Sequence, residues 1–134
     1  MSLIVDASVA VKWYLPENDS DRAEEILSTP TALLAPDLIL AEVGNAVWKR
    51  VRDGRVARED ALRILDRLTS AFGILVPLAT LARDAMEIST AFNHPIYDCF
   101  YLALARREKQ TLVTFDRRLA KVAERMELDA RLLR

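Results

Sequence analysis

The stretch from His94 to Asp116 constrains the fold more than any other part of this chain. It reads as a helix followed at once by a strand. Pro95 suits a first helical turn, where a fixed φ helps and a missing N–H costs nothing. Tyr97, Phe100, Tyr101 and Leu104 recur at helical spacing, which predicts one apolar stripe. Arg106, Arg107 and Lys109 bring positive charge to the C-terminal end, the sign that end favours. Thr111 to Phe115 then reads as a short buried strand. A helix of about ten residues climbs roughly 15 Å. A strand of about five residues returns roughly 16 Å. Asp98 at the start and Asp116 at the finish therefore fall on the same side of the molecule. Two carboxylates brought together repel unless a cation or a proton lies between them, which is the first sign of a metal site.

The rest of the chain repeats this alternation. Ser2 to Val5 is an apolar run ending in Asp6, and Ala7 to Leu15 has helical periodicity. Asn18 to Ser28 reads as a more polar helix and Leu33 to Ala35 as a short strand. Asp37 to Arg52 reads as a long helix closed by Gly54, and Arg58 to Ser70 as another with Ala61, Leu62, Leu65 and Leu68 inward. Ile74 to Val76 is a third strand candidate. Leu78 to Phe92 is helical, with Leu78, Leu81, Ala82, Ala85 and Ile88 as its stripe. After Asp116 come a last helix and an edge strand, Ala130 to Leu133. The approximate order is β-α-α-β-α-α-α-β-α-α-β-α-β. Short apolar strands separated by helices predict an α/β fold. It is expected to be an α/β/α sandwich with a short, mostly parallel central sheet, in one domain spanning 1–134. Right-handed crossovers place the strand C-termini along one edge.

Four acids are expected at that edge: Asp6 after the first strand, Glu42 in the helix after the second, Asp98 at a helix start and Asp116 after the fourth strand. Each has a plainer reading. Asp6 and Ser8 suit a helix cap, and Glu42 suits a helix dipole. Together the four fit a hard cation such as Mg²⁺ or Mn²⁺, which prefers oxygen ligands. One histidine and one cysteine support zinc poorly. A receiver-like phosphate-accepting module would want paired acids after the first strand and an aspartate after the third. Here Asp6 stands alone and the third strand ends in Val76-Pro77. An Asp-x-Asp phosphatase fails at Ser8. A nucleotide-binding loop fails because Gly44, Gly54 and Gly73 are the only glycines.

Val5-Asp6-Ala7-Ser8, Ala41-Glu42-Val43-Gly44-Asn45, Tyr97-Asp98 and Val113-Thr114-Phe115-Asp116 resemble the motifs of PIN domains, in order and over nearly the whole chain. Size and compactness are similar to the VapC toxins of toxin–antitoxin pairs. The resemblance implies a Mg²⁺- or Mn²⁺-dependent endoribonuclease with Asp6, Glu42, Asp98 and Asp116 as its acidic metal site. Ser8 and Thr114 match hydroxyl positions beside that site, and Asn45 matches a polar flanking position. It further implies an RNA substrate, a cognate antitoxin and a homodimer. The alternative is a catalytically silent or general RNA-processing PIN domain that acts mainly through a partner. Cys99 stands where a small residue is common and reads as core.

Net charge is −1, but setting the four acids aside leaves +3, and 15 of the 19 basic residues are arginine, the better phosphate fork. Lys49, Arg50, Arg52, Arg55 and Arg58 cluster around the Gly54 turn as a solvated face or a phosphate or antitoxin contact. Arg117 and Arg118, directly after Asp116, are better placed for RNA. Trp13, Tyr14 and Trp48 read as core or partner surface. The groove between helices 18–28 and 37–52, with Trp48, is the expected antitoxin grip. His94 reads as a loop residue near Asp98. A single histidine lacks the paired acid–base groups that drive attack by the RNA's own 2′-OH. A carboxylate-held metal that activates water is the route expected instead. No secretory signal is visible, and no apolar run reaches the roughly 18 residues of a membrane span. The cytoplasm is the expected location.

Overall fold

The computed structural model describes all residues, 1–134. The apolar runs become strands β1 (Ser2–Val5), β2 (Ala32–Pro36), β3 (Ile74–Val76), β4 (Thr111–Thr114) and β5 (Ala130–Leu132). They form one sheet in the order β3-β2-β1-β4-β5, and every pairing is parallel. β1, β2 and β4 are buried along nearly their whole length, as strands covered on both faces must be. The chain leaves β1 toward β2 and β3, then returns to add β4 on the other side of β1. The gap between the ends of β1 and β4 is therefore the topological switch point, where α/β sheets present their ligand crevice.

The helices are α1 (Ala7–Tyr14), α2 (Ser20–Leu27), α3 (Leu38–Arg52), α4 (Arg58–Ala71), α5 (Ala82–Phe92), α6 (Ile96–Glu108) and α7 (Arg117–Arg125). Two helices connect β2 to β3, one fewer than the approximate order above. The helix expected from Leu78 is split. Leu78–Thr80 is a 3₁₀ turn, and α5 begins only at Ala82. Asp37 takes the Leu78 N–H at 3.2 Å and the Thr80 hydroxyl bonds Pro77 O at 2.8 Å, so this turn is tied back to β2 and β3. The second helix starts at Ser20, after Asp19 in the left-handed region at φ 67°.

The expected faces need two corrections. Leu62 of α4 points outward, 53% exposed. In α6 the stripe that begins at Tyr97 does not hold, because Tyr97 is 63% exposed while Cys99 and Tyr101 through Ala105 are all buried. α6 packs on α5 and on β1, β2 and β4, so it is enclosed on most sides rather than along one face. Lys109, at φ 54°, ends it. Trp13 lies against Phe72 and donates its indole N–H to Ala23 O at 2.7 Å, while Trp48 stays exposed beneath the Arg52 guanidinium. α1 packs against both α2 and α3. No helix is long and apolar enough to cross a membrane.

The enclosure of α6 sets a measurable contrast along one helix. Leu102→Ala should cost about 2–5 kcal/mol through lost packing and the cavity left behind. Tyr97→Ala should stay within about 0.5 kcal/mol, as surface changes do. Urea unfolding of both variants measures the difference.

Candidate active site

Asp6 follows β1 directly and occupies the position that caps α1, yet its carboxylate caps nothing. Ser8 Oγ donates to Asp6 Oδ1 at 2.6 Å and Thr114 Oγ1 donates to Oδ2 at 2.7 Å. The same hydroxyl oxygens accept from the turn after β4. Phe115 N–H reaches Ser8 Oγ at 2.9 Å, and Asp116 N–H reaches Thr114 Oγ1 at 2.9 Å. The plain capping reading of Asp6 and Ser8 therefore fails, and the pair closes the switch point instead. Asp6 is 5% exposed. Burial pushes its carboxyl up to about 7; the Ser8 and Thr114 hydrogen bonds oppose this and the charge of Asp98 adds to it.

Asp116 does cap a helix. Its Oδ1 accepts from Arg118 N–H at 2.9 Å and from Leu119 N–H at 3.3 Å, which fixes the start of α7. Glu42 is half-buried on α3 and accepts from the Tyr101 hydroxyl at 2.7 Å through Oε1. Burial raises its pKa against that hydrogen bond, again helped by Asp98. Asp98 sits in the first turn of α6, and His94 Nε2 donates to its Oδ2 at 2.7 Å. The charge of Asp98 thus reaches both Asp6 and Glu42, which brings α6, α3 and the end of β1 to one place. Asn45 is exposed and enters none of these hydrogen bonds. As the side chains are placed, no three histidine, cysteine, aspartate or glutamate groups close on a single point. The groups brought together at the end of β1, the carboxylates of Asp6, Glu42 and Asp98 and the hydroxyls of Ser8 and Thr114, are all oxygen, a set that suits a hard divalent cation.

Two polar partners escaped the sequence reading. Tyr101 was assigned to an apolar stripe, and its ring is indeed 1% exposed, but its hydroxyl ends on Glu42. The burial and the acids around it hold that phenol well above its ordinary pKa, so it stays a donor. His94 does lie in the loop before α6 near Asp98, but it is buried there and its ring is bonded to that acid. For Tyr101 the available signal was spacing: residues 98 and 101 fall one turn apart on one face of α6. Of the basic residues, Arg50 pairs with Glu17 and Arg52 with Asp53. Arg117 and Arg118 are exposed and pair with no acid.

The PIN domain family model matches residues 3–125. The chain is 35% identical over 123 residues to ribonuclease VapC3 of Pyrobaculum aerophilum, covering 90% of this chain and 94% of that protein. It is 37% identical over 100 residues to exonuclease VapC9 of the same organism, covering 72% of each. Its fold is similar to the crystal structure of VapBC2 from Rickettsia felis bound to a DNA fragment from their promoter. There the TM-score is 0.72 at 18% identity, over 100% of both chains.

The buried Asp6 gives a pH dependence in chelator. Between its ordinary pKa of 3.8 and about 7, the folded chain keeps a proton that the unfolded chain releases. Stability therefore falls as pH rises through that window and stays low above it. The Tm in EDTA should be lower at pH 8 than at pH 5.5. Asp6→Asn, neutral throughout, should shrink the difference. Thermal melts by circular dichroism at the two pH values check this.

Proposed function

The chain belongs to the PIN domain family, and on that premise we propose that it is a Mg²⁺- or Mn²⁺-dependent endoribonuclease, the toxin of a type II toxin–antitoxin pair. The observation that carries the reading is the buried Asp6, clamped at the switch point and charge-coupled through Asp98 to Glu42. Asp6, Glu42, Asp98 and Asp116 would hold the cation. When bound, it supplies positive charge for a phosphate and makes a coordinated water more acidic. Ser8 and Thr114 keep Asp6 turned toward the crevice. Arg117 and Arg118 receive the flanking phosphates of the RNA. His94, the one imidazole in the chain, is committed to Asp98, so no pair of histidines serves attack by the 2′-OH. Water is the nucleophile that remains, and it leaves 5′-phosphate and 3′-hydroxyl ends.

The neighbour solved as VapBC2 supports an antitoxin as partner. The surface offered for it is the depression where Trp13 and Tyr14 of α1 and Leu27 of α2 meet Asp66, Arg67, Ser70 and Ala71 of α4. A second copy of the chain, bound through helices away from the acids, completes the assembly. The cytoplasm is the proposed place of action.

With Mn²⁺ the purified chain should cut RNA to 5′-phosphate ends. EDTA or Asp98→Asn should reduce cleavage to background. A closed circular RNA should also be opened, since no free end is required; cleavage confined to linear RNA would make the enzyme an exonuclease. Ends carrying 2′,3′-cyclic phosphate, or activity that survives EDTA, would sink the water mechanism. For the phosphate contacts, Arg117→Ala and Arg118→Ala should each weaken RNA binding and lower the salt slope of log K by about 0.7 if the bound RNA is single-stranded. Fluorescence anisotropy of labelled RNA across a salt series reads both effects.

A further inference from the structure

We propose that His94 and Tyr101 are positioning residues of the acid site, each fixing one cation-holding carboxylate, Asp98 and Glu42 respectively, from the loop before α6 and from α6 itself. The proposal rests on the reading of the acids as a cation site. Asp98 and Tyr101 are spaced as i and i+3 on α6, so carboxylate and phenol share one face, and His94, in the loop before Pro95, reaches back to that face at Asp98.

The imidazole is held in place from behind. The His94 N–H donates to Ser89 O at 3.2 Å, and His94 O accepts from Ser89 Oγ at 2.7 Å. The residue is 7% exposed, and the one hydrogen bond its ring makes is to Asp98. Tyr101 is 1% exposed, and its hydroxyl is the polar tip of a ring otherwise packed in the core. That hydroxyl crosses from α6 to α3 to reach Glu42. A buried phenol requires a partner, and Glu42 is the one it has. In both carboxylates one oxygen is occupied, Asp98 Oδ2 and Glu42 Oε1, and the other accepts from no protein donor. Each acid is thereby turned so that one oxygen stays free for a ligand. Hydrogen bonds of this kind orient metal-ligating groups and commonly control affinity by 10- to 100-fold.

The test is Mn²⁺ titration by calorimetry on wild type, Tyr101→Phe, His94→Ala, His94→Gln and Asp98→Asn, each with its melting curve in EDTA. Tyr101→Phe and His94→Ala should bind Mn²⁺ about 10- to 100-fold more weakly. His94→Gln, which keeps an N–H donor near the Nε2 position, should recover most of the loss. In steady-state cleavage the two weak variants should need more Mn²⁺ at an unchanged KM for RNA, because neither residue touches the substrate. Tyr101→Phe removes one oxygen from a well-packed ring, so it remains decisive if His94→Ala folds poorly. Wild-type Mn²⁺ affinity in Tyr101→Phe and His94→Ala, with Asp98→Asn defective, overturns the positioning role and leaves the cation site standing. A wild type that takes up no Mn²⁺ overturns the cation reading, and the positioning role with it.

Discussion

The structure depends on one buried carboxylate shared between two strands that lie far apart in sequence. β1 and β4 pair in parallel with Leu3 opposite Thr111 and Val5 opposite Val113. The next pair in that register is Asp6 and Thr114, and they meet through a 2.7 Å hydrogen bond. Side chains alternate along a strand, so a slip of one residue would turn Thr114 to the opposite face and leave Asp6 without its second hydroxyl. A buried carboxylate without partners costs several kcal/mol. The clamp therefore selects the same register that the apolar strands require, and the site and the sheet specify each other.

The fold was legible because its signals are local and redundant. Apolar runs such as Leu33–Ala35 and Ile74–Val76 have few other uses in a chain this rich in helices, and all five expected strands form. The gaps were tertiary. Nothing between Pro77 and Ala82 announces a break, since the break comes from the Asp37 side chain arriving from another part of the chain. The face of α6 was misjudged because helical periodicity finds a stripe only when one side meets water. α6 is enclosed by α5 and the sheet, so its pattern carries little direction.

The site was legible to a similar depth. Acids next to strand ends mark the crevice of a parallel sheet, and the charge of Asp98 does raise the pKa of both Asp6 and Glu42. Asp116 carries a second task that sequence position alone does not reveal, since its carboxylate also caps α7. Tyr101 was hidden by being amphipathic: a ring that satisfies the core pattern conceals a hydroxyl that serves the site. Charge is distributed to match. Asp6 and Asp116 flank the switch point, and the exposed arginines begin immediately beyond it at Arg117.

The distance between the two halves of the clamp also sets when the site can exist. Asp6 and Thr114 are separated by 108 positions, and chains are made and begin to fold from the N-terminus. A growing chain can complete α1 and pair β1 with β2 long before β4 has been synthesised. During that interval Asp6 lies at an open sheet edge with Ser8 as its one hydroxyl partner. The clamp across the switch point is absent from every nascent or truncated chain that stops short of β4. The order of synthesis thus sets the order of assembly, with β1 and β2 paired first and the Asp6–Thr114 clamp closed only once β4 is in place.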